Sequence, residues 1–285
     1  MVQHRPSRRP QRRHSRSTRS SQGSSSLVSW LAGAALVALA GGALAAGFYG
    51  YRMVSGRPVL DEATLCPETG PVSVTAILLD LTDPLGPAQA ARLRTVLAQD
   101  VASAPLATMI SIGVVSDDPS DWGAHFATCK PAEGSDANPL TENASLIQER
   151  FESQFERPLG EAIDAMMAAE EQDQSPIMEA LQVLLAETPH ALEDGQPLRV
   201  VLVSDLLQHS DLLSFYRGEG WEAFEASGGA ARLSHTLNGA EIRLVRVPRP
   251  NASAEAQALV DPFWAQYLDQ QGAKAPFDIV PLGDL

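Results

Sequence analysis

Short apolar runs alternate along the chain with amphipathic segments, and two of these runs end on an aspartate. Residues 72–79 are followed by Asp80, and residues 200–204 by Asp205. Runs of this length, rich in Val, Ile and Leu, are typical of strands buried on both faces of a parallel sheet. Further strands are predicted at residues 108–115, 241–247 and 277–280, with a short edge strand near 125–129.

The segments between these strands have helical patterns. Amphipathic helices are predicted at residues 88–102, at 146–156 and 159–170 on either side of Pro158, after Ser175-Pro176, within 206–226, and late in the chain, where Asp261-Pro262 opens or kinks a helix. Proline at position 158 should bend or break its helix. The alternation predicts an α/β, doubly wound, mostly parallel, Rossmann-like sheet flanked by helices, in one domain over residues 71–285 after a linker at 52–70.

Residues 27–51 contain no charge and are mostly Ala, Leu, Gly and Val. About 20 such residues suffice for a helix to cross the hydrocarbon core, so a transmembrane helix is predicted there. A cleaved signal peptide is the alternative, because Ala43-Leu44-Ala45 fits an A-x-A cleavage site.

Charge divides sharply along the chain. Residues 1–26 hold seven arginines and no acid, which predicts a disordered tail on the cytoplasmic side of the membrane. The 12 basic and 35 acidic residues after position 60 give a formal charge of −23, which should repel nucleic acid. We therefore expect a single-pass protein of a bacterial inner membrane, with its C-terminal domain periplasmic or extracellular.

The two cysteines, Cys66 and Cys129, both follow the apolar span. If the arginine-rich side is cytoplasmic, both face an oxidising compartment, and a disulfide is expected. Two unrelated buried thiols are the alternative. The sequence has no C-x-x-C motif, so neither a thioredoxin-type site nor a zinc site is indicated.

Three segments carry a resemblance to a known family: Asp80-Leu81-Thr82-Asp83-Pro84, Ser175-Pro176, and Ser204-Asp205. Their order and spacing resemble the von Willebrand factor A-like fold and its metal-ion-dependent adhesion site. The resemblance implies that Asp80, Thr82, Ser175 and Asp205 hold a divalent cation, usually magnesium, which completes its shell with an acidic group of a partner.

The chain departs from the family pattern at Pro84, where the family has a second serine. Proline supplies no side-chain ligand, so one coordination position is lost, and Asp83 is the candidate to compensate. Each segment also has an ordinary structural interpretation. Ser175 before Pro176 fits an N-cap, Asp83-Pro84 fits a turn, and Asp205 fits a cap of the following helix.

Motifs of serine hydrolases, zinc proteases and P-loop enzymes are missing from the sequence. We therefore expect a non-enzymatic module that binds a protein partner at the carboxyl ends of the strands, with magnesium as a candidate cofactor. The alternatives are a magnesium-dependent hydrolase that uses Asp80 and Asp205, and a structural scaffold in an envelope complex.

Overall fold

A computed structural model of the chain describes residues 25–55, 59–168, 171–233, 237 and 239–283. The chain divides between residues 57 and 58 into two compact units. The first unit contains helix α1, Ser25–Ser55, and its segment Ser29–Tyr51 is long and apolar enough to cross a membrane. A signal sequence near an N-terminus would have the same length and composition. The predicted disorder of the tail concerns residues 1–24, outside the described residues, whereas Ser25 and Ser26 belong to α1.

The second unit is built on a six-stranded sheet with the order β3-β2-β1-β4-β5-β6. Five strands are parallel, and β3 pairs antiparallel with β2 at one edge. This confirms the predicted α/β class and its mostly parallel sheet. The strands are β1 Ser73–Leu79, β2 Thr108–Val114, β3 Ala124–Cys129, β4 Leu198–Ser204, β5 Glu241–Arg246 and β6 Lys274–Pro281.

Helices cover both faces of the sheet because successive side chains of each strand point to opposite faces. In β1, Ala76 and Leu78 join the cluster that includes α5 and α8, whereas Ile77 and Leu79 join the cluster that includes α2, α3 and α4. The helices are α2 Pro87–Ser103, α3 Ala144–Phe151, α4 Arg157–Met167, α5 Ile177–Glu187, α6 Trp221–Ala226, α7 Gly229–Arg232 and α8 Ala254–Gln270.

The structure decides between alternatives at two prolines. Pro158 was predicted to bend or break its helix, and a π-helical turn at Glu152–Glu156 interrupts the α-helical pattern between α3 and α4 without ending the helical chain. Pro158 lies in the first turn of α4, a position that tolerates a residue without an N–H. Pro262 was predicted to open or kink the last helix, and the first of these alternatives is wrong. Helix α8 begins after Ser253, whose hydroxyl accepts a hydrogen bond from the Ala256 N–H, and Pro262 lies inside it.

The predicted disulfide is present between Cys66 and Cys129, whose Cα atoms are 4.9 Å apart. It attaches the segment before β1 to the end of β3. Leu60 also forms an isolated β-bridge with Pro67. Residues 60–70, predicted as part of a linker, are therefore tied to the α/β unit, because the disulfide and a bond from the Cys129 N–H to the Thr64 carbonyl, at 2.7 Å, hold them against β3.

Candidate functional site

Asp80 directly follows β1, at the carboxyl edge of the parallel sheet. Its backbone N–H donates to the Val203 carbonyl of the neighbouring strand β4 at 2.8 Å, which extends the ladder to the strand end. Its buried carboxylate accepts from the hydroxyl of Thr82 at 2.8 Å and from the hydroxyl of Ser204 at 2.6 Å. Both carboxylate oxygens are therefore held by hydroxyls from two adjacent strand ends.

Asp205 follows β4 and is also buried. One carboxylate oxygen accepts from the Leu207 N–H at 2.8 Å. Burial raises the pKa of Asp205 to about 7, and the nearby charge of Asp80 adds to this effect. No helix begins until residue 215, so Asp205 does not cap a following helix. Two acidic groups thus share the end of β1 and β4, as predicted from the two strand ends.

The backbone after Asp205 is strained. Leu206 has a φ of +66°, in the left-handed region that residues with a Cβ rarely adopt. Its N–H donates to Ser204 Oγ at 2.7 Å, and its carbonyl accepts from the indole N–H of Trp264 at 2.8 Å. Strain of this kind is concentrated at functional sites, where the surrounding structure holds it in place.

The loop before α5 contacts this edge through backbone bonds. The Gln172 N–H donates to the Thr82 carbonyl at 2.9 Å, and Ser175 forms a two-bond bridge with His209, at 2.8 and 2.9 Å. Ser175 does not cap α5 with its side chain, so that structural interpretation is wrong. Pro176 occupies the cap position, and Gln208 accepts from the Met178 N–H. Ser175 Oγ is buried and has no partner among the described residues.

Sequence analysis missed Arg249, which lies in the loop after β5. Its Nε is 3.0 Å from Asp205 Oδ2 and 3.2 Å from Asp83 Oδ2. A second guanidinium nitrogen donates to the Asp83 carbonyl at 3.2 Å. One feature of the sequence could have indicated this residue. Arg249 is a basic residue between two prolines, Pro248 and Pro250, directly after the predicted strand at 241–247, which became β5 next to β4.

The predicted ligand set fits a divalent cation only in part. The unpartnered hydroxyl of Ser175 suits a metal ligand, since Mg²⁺ binds oxygen atoms. However, Asp205 and Asp83, two of the carboxylates expected to hold the ion, already bind the guanidinium of Arg249. Over the described ranges, no group of three or more His, Cys, Asp or Glu residues is placed to hold a metal. As these side chains stand, Arg249 is the cation that faces Asp83 and Asp205.

An exposed aromatic ring lies beside these carboxylates. Tyr216 is 52% exposed, and its ring packs edge-to-face on His209 with 5.5 Å between centroids. Its pKa is raised to about 12, first by partial burial and then by the charges of Asp205 and Asp83. The carboxyl edge therefore presents a phenol next to buried acids, a feature that the sequence pattern did not indicate.

No model of a known protein family matches this sequence, and no curated protein sequence matches it either. The class of protein is thus defined by the fold itself: an α/β domain with a six-stranded, mostly parallel sheet, flanked by helices and preceded by one apolar helix.

Proposed function

We propose that the chain is a membrane-anchored, von Willebrand factor A-like interaction module that binds a protein partner outside the cytoplasm and catalyses no reaction. The observation that carries the proposal is the carboxyl edge of the sheet, where loops after β1, β4 and β5 bring together Asp80, Asp205 and Arg249. Ligands of open α/β sheets bind at this edge.

The proposed topology rests on three features. The arginine-rich tail precedes the span Ser29–Tyr51, which favours a cytoplasmic N-terminus. The disulfide between Cys66 and Cys129 is typical of an oxidising compartment. Together the three features favour an exported α/β domain held at a bacterial inner membrane.

The charge around the edge indicates what kind of surface a partner presents. Exposed acids lie in three loops at this end of the sheet: Asp117 and Asp118 after β2, Asp173 before α5, and Asp211 after β4. With the exposed ring of Tyr216, they form what we call the acidic rim. Complementary charge steers association and favours specificity, so the partner should offer lysine and arginine side chains.

A photo-cross-linking experiment tests this proposal in the membrane of origin, with the full chain. p-Benzoylphenylalanine replaces Tyr216 or, as the control, Leu106, which is 54% exposed in the loop before β2 at the opposite end of the sheet. We expect an adduct of defined mass from position 216 only, and its loss when Asp117, Asp118 and Asp211 are changed to Lys. Equal adducts from both positions, or an adduct indifferent to charge reversal, would contradict the proposal.

Hydrolysis is the second candidate function, and one observation favours it. A carboxyl group with a pKa of about 7, as at Asp205, is suited to general acid–base catalysis near neutral pH. Its contact with Arg249 and its burial leave little access for substrate. Phosphatase and esterase assays of the full chain, with Asp205→Asn as the matched variant, separate the two functions. Turnover that is lost in the variant would support the hydrolase.

A further inference from the structure

We propose that Arg249 is the resident cation of this site, so that the chain's own guanidinium, and not a divalent metal, compensates the negative charge of Asp83 and Asp205 beside Asp80. This inference concerns how the site is held together and does not depend on what, if anything, binds there.

The contacts of Arg249 place its charge among the acids. Its Nε lies 3.0 Å from Asp205 Oδ2 and 3.2 Å from Asp83 Oδ2, and another guanidinium nitrogen donates to the Asp83 carbonyl at 3.2 Å. Only 20% of the side chain is exposed. A guanidinium offers five donors in a planar fork, so it joins the β1 loop to the β4 loop, the two segments that a bound metal would otherwise join.

The backbone holds this side chain in place. Prolines at 248 and 250 restrict the chain on both sides of Arg249. The Arg249 carbonyl accepts from the Ala252 N–H at 3.2 Å and from the Gln257 side chain, on helix α8, at 3.0 Å. The backbone of Arg249 is therefore fixed before any ligand arrives, so that only the side-chain torsions have to be ordered when the guanidinium binds the acids.

Mg²⁺ is at a disadvantage against such a cation. It demands near-octahedral oxygen coordination and dehydrates reluctantly. Position 84 is proline, which offers no side-chain oxygen. Two buried carboxylates still need a positive partner, since an uncompensated buried charge is strongly destabilising. Arg249 supplies that charge permanently.

Thermal unfolding of the full chain in detergent, followed by tryptophan fluorescence, tests the inference. We expect the midpoint of the wild type to be the same with EDTA, with millimolar Mg²⁺ and with Mn²⁺ at matched ionic strength. Arg249→Gln should lower the midpoint by roughly 5 °C or more. Mg²⁺ should then raise the midpoint of this variant part of the way back, because Asp83 and Asp205 no longer have a guanidinium as their positive partner. Arg94→Gln, which breaks an exposed ion pair with Asp164, is the control and should do neither.

Two results would overturn the inference. One is a wild-type midpoint that rises with Mg²⁺ and loses this response in Asp80→Asn. The other is an Arg249→Gln protein as stable as the wild type. If Arg249→Gln does not fold, Arg249→Lys decides. Lysine keeps the positive charge but not the planar fork of donors, so this variant should fold and unfold at a lower temperature than the wild type. Its unfolding midpoint should not change when EDTA is added. An Arg249→Lys protein whose midpoint does change with EDTA would contradict the inference.

Discussion

Replacing Asp205 by asparagine should destabilise the folded protein at pH 4 and stabilise it at pH 8. Burial and the charge of Asp80 raise the pKa of Asp205 to about 7, from 3.8 in an unperturbed chain. The folded protein therefore binds this proton more tightly than the unfolded chain does. The stability that the protonated Asp205 carboxyl contributes is fully present below pH 3.8 and is lost as the pH rises through 7.

The magnitude follows from the size of the shift. The pKa difference is about three units, and each unit is worth about 1.4 kcal/mol, so wild-type stability should fall by about 4 kcal/mol between pH 4 and pH 8 through this one group. Asparagine does not titrate. It can keep the bond from the Leu207 N–H, but it turns an amide N–H toward Arg249, at a cost of about 1–3 kcal/mol. Asp205→Asn should thus be less stable than the wild type at pH 4 and more stable at pH 8.

Urea unfolding of the full chain in detergent with EDTA, at intervals between pH 4 and pH 8, measures this difference. Asp269→Asn is the control, because Asp269 is exposed near the end of α8 and away from the strand ends. The free energy of unfolding of Asp269→Asn, plotted against pH, should run parallel to that of the wild type. Parallel curves for Asp205→Asn and the wild type would refute the reasoning, since they would mean that Asp205 stays ionised throughout.

Three further predictions concern the anchor and the core. Changing Cys66 and Cys129 to Ala should lower the free energy of unfolding by about 4 kcal/mol, because their bond closes a loop with a sequence separation of 63. Urea unfolding without reductant measures this loss, and a variant as stable as the wild type would contradict the prediction. Alkaline phosphatase fused to the C-terminus should be active in cells, whereas an inactive phosphatase and a glowing fluorescent fusion would reverse the topology. Phe155→Ala should cost about 3–5 kcal/mol, since Phe155 is fully buried and packs on Phe126 and Phe151. Leu140→Ala, at a side chain that is 91% exposed, should cost almost nothing in the same assay.

The central strands β1, β2 and β4 were predictable because burial on both faces leaves a clear sequence pattern. The apolar run ending at Asp80 became β1, Ser73–Leu79, and the run ending at Asp205 became β4, Leu198–Ser204. Pairing of β1 with β4 then places both aspartates at one edge of the sheet. The disulfide was predictable from the expected oxidising compartment and from the number of cysteines, because only two cysteines follow the apolar span.

Helix limits were harder, because proline has more than one compatible position. At Pro158 the chain uses a π-helical turn, and at Pro262 it continues the helix, although both residues also fit a helix boundary. Ser175-Pro176 has the pattern of a serine cap. A backbone bridge to His209 instead fixes Ser175, and Gln208, distant in sequence, satisfies the helix N-terminus. Such long-range bonds leave no local pattern.

Arg249 shows why the chemistry of the site could not be derived from the motif alone. The resemblance to an adhesion site was carried by the segments at Asp80, Ser175 and Asp205, and it implied a cation from outside the chain. The cation that the structure places there comes from a loop 44 residues after Asp205, beyond a fifth strand. Its approach depends on β5 lying next to β4, which is a fact of topology. An acidic strand end therefore predicts the need for a positive charge, and only the fold determines which residue supplies it.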